Sequence, residues 1–468
     1  MLLVTVPPGF EAERSYAIEI LMQVCLGIPF RMKIEERPDV RISLQDGGDG
    51  ELLVEDVLFG KYADAWLTKA VLPALPLPVC KLSYYRNVPD LSDTRELPVL
   101  YGNPLSSGLY IEEGEGISRI GIDVFGSAFF MLTRYEELII AERDRRDRFA
   151  SSFAVSVRAG LLGRPIVDEY VELLFVMMKR IWPSLKRGTQ YYQVRLSHDV
   201  DFPFMAYGIP LRQIVKQIGG DLIRRGQPAL ALQRLESLFH TLRHRPEKDK
   251  GNTFDYLMDL SERSGKTSSF YFITDHTAGS IDGYYAISDP PIRQLMKRIH
   301  SRGHIIGLHP SYHTYLHPYQ IKREYERLRQ VCEEEKICQQ IWGGRQHYLR
   351  WSAPATWQVW EDAGLQYDST VGYADRPGFR CGICREYPVF NLQTRRKLKL
   401  KERPLLVMEQ SLLNKSYLGM EEEKAFSHIL RIASVCKRHN GQFTLLWHNS
   451  QLQRKEDRDL YERVLAAI

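Results

Sequence analysis

Asp199 and Asp201 end the stretch Leu-Ser-His-Asp-Val-Asp at 196–201, where an extended backbone turns both carboxylates to the same side. Phe202 and Pro203 stop the strand, so the pair sits at a strand end, where acids serve as metal ligands, nucleophiles or bases. A solvated turn gives the same short pattern, and partners elsewhere must decide. His309 and His313 are such partners. They lie four apart after a strand-like run ending at Leu308, and Pro310 suits the first position of a helix, a spacing that turns both imidazoles one way. A lone histidine is more often a satisfied core or surface residue. Two at this spacing, with an Asp-x-Asp after another strand, point to a metal centre. One Asp with two His leaves coordination positions open, as catalytic zinc sites do. Such a metal polarises a carbonyl and brings the pKa of bound water towards about 7. The remaining Asp would act as base, a role worth ~10²- to 10⁴-fold.

Two more strand ends complete the set. Arg350, in Arg-Trp-Ser-Ala-Pro, is a permanent cation that can pair with the base carboxylate, although an ordinary surface ion pair would use it equally well. His448, in Leu-Leu-Trp-His, can protonate a leaving group, or can simply be a satisfied loop residue.

The elements that must position these residues follow a βα rhythm from residue 253. Helical patterns at 254–264, 292–301, 320–337, 357–363 and 425–439 alternate with strands at 268–273, 304–308, 348–351 and 443–447. That alternation implies a parallel sheet or barrel with its site at the C-terminal strand ends. Before it, a helix at 11–25 and short strands at 31–35, 40–44, 52–59, 99–101 and 109–112 read as a small mixed α+β unit. A helix at 128–142 runs into the charge run 142–148, read as a solvated helix end, and a helix at 166–181 precedes a boundary at 182–188. Two domains are expected, 1–185 and 190–468, because 468 residues exceed one ordinary core.

In this order the motifs resemble the polysaccharide deacetylase (NodB homology) family, the metal-dependent carbohydrate esterases of family 4, from about residue 193 to about 451. The resemblance implies an α/β fold with a distorted (β/α) barrel as the deacetylase domain, preceded by the smaller α+β domain. It implies Asp199 as catalytic base, Asp201, His309 and His313 as metal ligands, Arg350 as partner of the base, and His448 as general acid. The implied cofactor is a divalent metal, Zn2+ first, with Co2+ or Ni2+ accepting the same ligands. Three departures stand out. The acids are Asp-Val-Asp rather than adjacent, Pro310 stands where Ser or Thr is common, and 367–390, with Asp368, Asp375, Arg376 and Cys381, is similar to a cytoplasmic, surface-polysaccharide-associated branch. Residues 98–181 look like that branch's own N-terminal domain.

Composition narrows the setting. The apolar run 1–6 is cut by Pro7 and Pro8, and no stretch reaches the roughly 20 apolar residues of a spanning helix. Seven cysteines, an odd number, imply a reducing compartment and hence the cytoplasm. Cys381 and Cys384 lack the second half of a zinc ribbon and read as reduced thiols in a substrate loop. A net charge of +5 is too mild for a nucleic-acid partner. It is unevenly spread, however. In a helical insertion at 210–245, Arg212, Lys216, Arg224, Arg225, Arg234, Arg243 and Arg245 outnumber Asp221 and Glu236. This is either a solvated hairpin or a peripheral contact with an anionic substrate or membrane surface.

The expected reaction is removal of an N-acyl group, N-acetyl first, from an amino sugar of a polysaccharide or its precursor. An Asp-x-Asp phosphatase would continue to Thr or Val where Pro203 stands, and a sugar-nucleotide transferase would leave His309, His313 and His448 unused. A catalytically silent saccharide-binding or assembly protein would tolerate loss of Asp201, His309 or His313, and all three are present.

Overall fold

The structure is a computed structural model and describes residues 1–82 and 95–468. Its first sheet grows from β1 (Leu2–Val6), whose Leu2, Val4 and Val6 alternate into the core. With β2 (Phe30–Ile34), β3 (Asp39–Leu44), β4 (Glu51–Glu55), β7 (Ile111–Glu113) and β8 (Ile117–Ile120) it forms a six-stranded sheet in the order β2-β1-β3-β4-β8-β7. The strands β5 (Val79–Lys81) and β6 (Glu96–Pro98) pair apart as a small ribbon. The helix Val124–Leu132 is buried along its whole length and is capped by Asp123, whose Oδ1 accepts from the Gly126 N–H at 2.6 Å. The helix expected at 128–142 breaks at Arg134, which takes a left-handed φ of 53°. A short helix, Tyr135–Ile139, restarts after it.

That break has a use. The Arg134 side chain is fully buried and donates to Glu137 at 2.8 Å, to Glu136 at 2.9 Å and to the Arg380 carbonyl far along the chain. Arg380 in turn pairs with Glu137. Burial opposes a charge on Glu137, but Arg380 and Arg134 hold its carboxyl below the usual range. Nearby, Asp168 of the helix Ile166–Ile181 accepts from the Cys384 N–H at 2.9 Å and from Arg385 at 2.7 Å. Cys381 and Cys384 are therefore packed against that helix, buried and unpaired, instead of lining a substrate loop. The apolar core runs without interruption from the first sheet into the second.

The second sheet has nine strands: β9 (Gln193–Val200), β10 (Ser268–Phe272), β11 (Ile305–Leu308), β12 (Gly343–Gly344), β13 (Tyr367–Asp368), β14 (Tyr387–Asn391), β15 (Arg396–Glu402), β16 (Val407–Met408) and β17 (Gln442–Leu446). Their order is β14-β15-β13-β12-β11-β10-β9-β17-β16. All neighbours are parallel except β14 with β15. The βα rhythm is thus realised as a parallel sheet, and every residue of β10 is buried, as a two-sided cover of helices requires. Its edges are β14 and β16, and among the described residues no hydrogen-bonded pair joins them into the expected barrel. No helix of the described residues is long and apolar enough to cross a membrane.

Candidate metal centre and catalytic cavity

Parallel strands deliver their C-terminal ends to one edge, and the chemistry gathers there. Asp199 lies in β9 and Asp201 just after it, His309 follows β11, Arg345 and His347 follow β12, and His448 follows β17. β12 is a pair of glycines because nothing larger fits: a Cβ on Gly343 would meet the Tyr367 ring, and one on Gly344 the Leu308 backbone.

One ligand atom from each of Asp201, His309 and His347 lies within 4.8 Å of the other two. His309 Nε2 is 3.1 Å and His347 Nε2 3.6 Å from Asp201 Oδ1. The other nitrogen of each ring is fixed. His309 Nδ1 donates to the Arg345 carbonyl at 2.6 Å, and His347 Nδ1 donates to Asp282 Oδ1 at 2.8 Å. These oxygens only accept, so in the neutral rings the protons lie on Nδ1 and each Nε2 offers a lone pair. Asp201 Oδ1, also all lone pair, is buried and accepts no hydrogen bond. Lone pairs facing one another so closely call for a cation between them, either an added proton or a metal ion. Burial alone would lower the His309 pKa, yet Asp199 and Asp201 raise it, while His347 and His309 hold the half-buried Asp201 carboxyl well below its ordinary value. Asp282 is itself clamped by the N–H groups of Ala278 and Tyr312, both at 2.7 Å. A fixed carboxylate behind an imidazole is the usual support of a metal ligand. The donor set, two imidazoles and one carboxylate, fits a divalent cation with positions left open.

Asp199 is buried beside this triad. Its Oδ1 accepts from Arg345 at 2.8 Å, and its Oδ2 lies 3.9 Å from His309 Nε2. Arg345 is completely buried and is aimed by two bonds to Ser369, at 2.8 Å to the carbonyl and 3.0 Å to the hydroxyl. On the other side, His448 Nδ1 meets Glu409 Oε1 at 2.6 Å, leaving its Nε2 3.9 Å from Asp201 Oδ2. Burial would lower the His448 pKa, but Glu409 foremost, with Asp201 and Asp199, lifts it to about 10. His448 is therefore an imidazolium at neutral pH, a proton donor aimed at the cavity.

Two of the expected residues, His313 and Arg350, lie away from the positions expected of them. His313 is exposed, its backbone N–H donating to Thr277 Oγ1 at 3.0 Å, and it lies outside the triad. The chain after Pro310 does not form an α-helix, because Glu324 holds Ser311 and Asp282 holds Tyr312, so a spacing of four no longer puts two rings on one side. His347 takes the expected place. Arg350 does not reach Asp199 either. It donates to the Tyr312 carbonyl at 2.7 Å and stacks between Tyr312 and Tyr315, and Arg345 is the partner of Asp199. The shift from Arg350 to Arg345 has its own origin: the strand expected at 348–351 is β12, four residues or more upstream, and 347–349 is a 3-10 turn.

The cavity holding Asp199, Asp201, His309, His347 and His448 has a volume of about 220 Å³, below the roughly 300–1,000 Å³ of drug-sized sites. Phe202, Tyr348, Met408 and Tyr417 supply apolar and aromatic walls. Larger cavities of about 550 and 580 Å³ lie elsewhere and bring together no such set of imidazoles and carboxylates. One wall comes from the charge run at 142–148. This is no helix end but a hairpin closed by an Arg143–Phe149 bridge, in which Asp144 binds the N–H groups of Arg146 and Arg148 at 2.8 and 3.0 Å. Arg148 lines the cavity, pairing with Asp144 at 2.7 Å and donating to the Tyr348 carbonyl at 2.9 Å.

Residues 2–183 match the model of a family of unknown function, DUF7033. No curated protein matches the sequence. Among solved structures, the chain is similar to a protein assigned as a polysaccharide deacetylase from Mycobacterium smegmatis, at 14% identity and a TM-score of 0.38 over 61% of this chain and 85% of that one. It is similar also to the allantoinase Puue, at 11% identity and a TM-score of 0.38, with the same coverage of 61% and 85%.

Proposed function

We propose that the protein is a metal-dependent hydrolase that removes an N-acyl group, N-acetyl first, from an amino sugar of a polysaccharide or its precursor. The observation that carries this reading is the convergence, in one small cavity, of three differently prepared groups: a cation-seeking triad, a carboxylate on a buried arginine, and an imidazolium on a buried glutamate. A divalent cation held by Asp201, His309 and His347 would polarise the acyl carbonyl and acidify an attacking water. Asp199 is placed to take the proton from that water, with Arg345 holding its orientation. His448 is placed to give a proton to the departing amine, and Glu409 keeps that proton on the ring until it is needed. Amide hydrolysis needs both transfers, because an unprotonated amide anion is a very poor leaving group. The aromatic walls suit the apolar face of a sugar ring.

The test is the metal content of the purified protein, together with acetate release from N-acetylated monosaccharides, oligosaccharides and lipid- or nucleotide-linked sugars. The expected result is one metal per chain and acetate release that stops on chelation and returns with added metal. Metal-loaded protein that releases acetate from none of them would overturn the reading.

A further inference from the structure

The hairpin that follows the catalytic strand is built inside out. Its helices, Leu211–Ile223 and Pro228–Leu242, bury only Ile214 and Asp221 from the first and Ala231 and Ser237 from the second. Polar bonds hold them together: Asp221 is fully buried and accepts from Arg234 at 2.6 Å and from Arg225, while Arg234 also donates to Gln217 at 2.9 Å. The base is tied by Asp249, which accepts from Met205 and Ala206 at 2.8 and 3.1 Å.

The large apolar side chains face outward instead. Leu211, Val215 and Leu222 are spaced by four and seven along one stripe of the first helix, and Ile223 at its end is 87% exposed. On the second helix Leu232, Leu235, Phe239 and Leu242 recur at three, four and three, again one stripe, with Leu242 71% exposed. A solvated hairpin has the reverse arrangement, apolar within and charged without.

What covers this face is indicated by its charge. Residues 210–245 hold seven Lys and Arg against two Asp and Glu, a net charge of +5, as large as that of the whole chain. Arg212, Lys216, Arg224, Arg243 and Arg245 have no carboxylate within ion-pair distance among the described residues. A second copy of the hairpin would bring two such charges together as its apolar stripes met. An anionic bilayer surface satisfies both features, taking the apolar stripes into its acyl boundary and the cations onto its headgroups. We infer that the hairpin Leu211–Leu242 is a peripheral membrane anchor selective for anionic lipid. Leu211 follows Asp201 by ten positions, and Phe202 of the connecting loop lines the catalytic cavity, so the anchor grows from the rim of the site. The anchor acts whatever the cavity hydrolyses.

Flotation of the full chain with vesicles tests this, using phosphatidylcholine alone and phosphatidylcholine mixed with phosphatidylglycerol. The protein is expected to float with the mixed vesicles and not with the neutral ones, and to do so less as salt rises. The double variant R224E/R245E is expected to lower the partition coefficient roughly tenfold or more. The variant I223D/L242D, which leaves the cations in place, is expected to lower it roughly tenfold as well. All four positions are exposed, and circular dichroism of each variant reports its fold. Absence of binding to the mixed vesicles overturns the inference. So does binding unaffected by I223D/L242D, which would mean surface charge without insertion, or sedimentation velocity showing a dimer that the same variant dissociates.

Discussion

The lone pair of Asp201 Oδ1, facing His309 and His347 across 3.1 and 3.6 Å, makes the identity of the third ligand a measurable matter. His347→Ala should lose the metal, with affinity falling by well over the roughly 10- to 100-fold expected for loss of a supporting residue such as Asp282. His313→Ala should retain it, since that ring is exposed and outside the triad; equilibrium dialysis of both variants decides. A second outcome concerns His448. Against burial, Glu409 together with Asp201 and Asp199 raises its pKa to about 10, so the donor proton is present below that value and lost as pH rises through it. In Glu409→Gln only Asp201 and Asp199 remain to oppose burial, the pKa falls, and the basic limb of the kcat/KM profile should move to lower pH, each unit of displacement costing about tenfold beyond the limb. A basic limb that stays in place would remove His448 from proton donation. Sequence spacing made Asp199, Asp201, His309 and His448 visible because each stands at the end of an apolar run long enough to be read as a strand. Arg345 and His347 were hidden because their strand is Gly343–Gly344, with no side chain to carry a period and a length fixed by the contacts of its neighbours. The sign to look for was a Gly-Gly pair directly ahead of Arg and His.

At the scale of elements, periodicity served where burial is periodic. The helices around the second sheet and the strands β10, β11 and β17 lie within a few residues of their expected ranges. Closure of the sheet was not legible, since hydrogen bonding between distant edges leaves no local pattern. The run 142–148 misled for a different reason: its charges are spent on each other and on the cavity wall, a pairing that composition alone makes look like solvation. The hairpin it forms depends on Asp144, which binds two backbone N–H groups and the Arg148 guanidinium. Asp144→Ala should free this loop, and limited trypsin digestion should then cut among Arg143, Arg145, Arg146 and Arg148 at least several times faster than in the parent protein. Equal cleavage rates would mean that Arg350, stacked below the loop, suffices to hold it.

For the molecule as a whole, the buried cluster of Arg134, Glu136, Glu137 and Arg380 ties the first sheet's helices to the loop between β13 and β14. Glu137→Gln leaves Arg134 on Glu136 alone and takes from buried Arg380 its carboxylate partner, and should cost about 3–5 kcal/mol of stability. The loss should appear in both halves at once, as one shifted unfolding transition followed by tryptophan fluorescence and by circular dichroism. Separate transitions would show that the continuous core does not couple the sheets. The same cluster sets an order in time. Arg380 stands 246 positions after Arg134, so at a synthesis rate of ~5–20 residues per second Glu137 waits roughly 12 to 50 s for its second arginine. Throughout that interval two glutamates share one cation, and a carboxylate without its partner is held in water by its hydration. The segment around Tyr135–Ile139 can therefore close over its charges only after the first strands of the second sheet have left the ribosome, so a piece made early is among the last to finish folding.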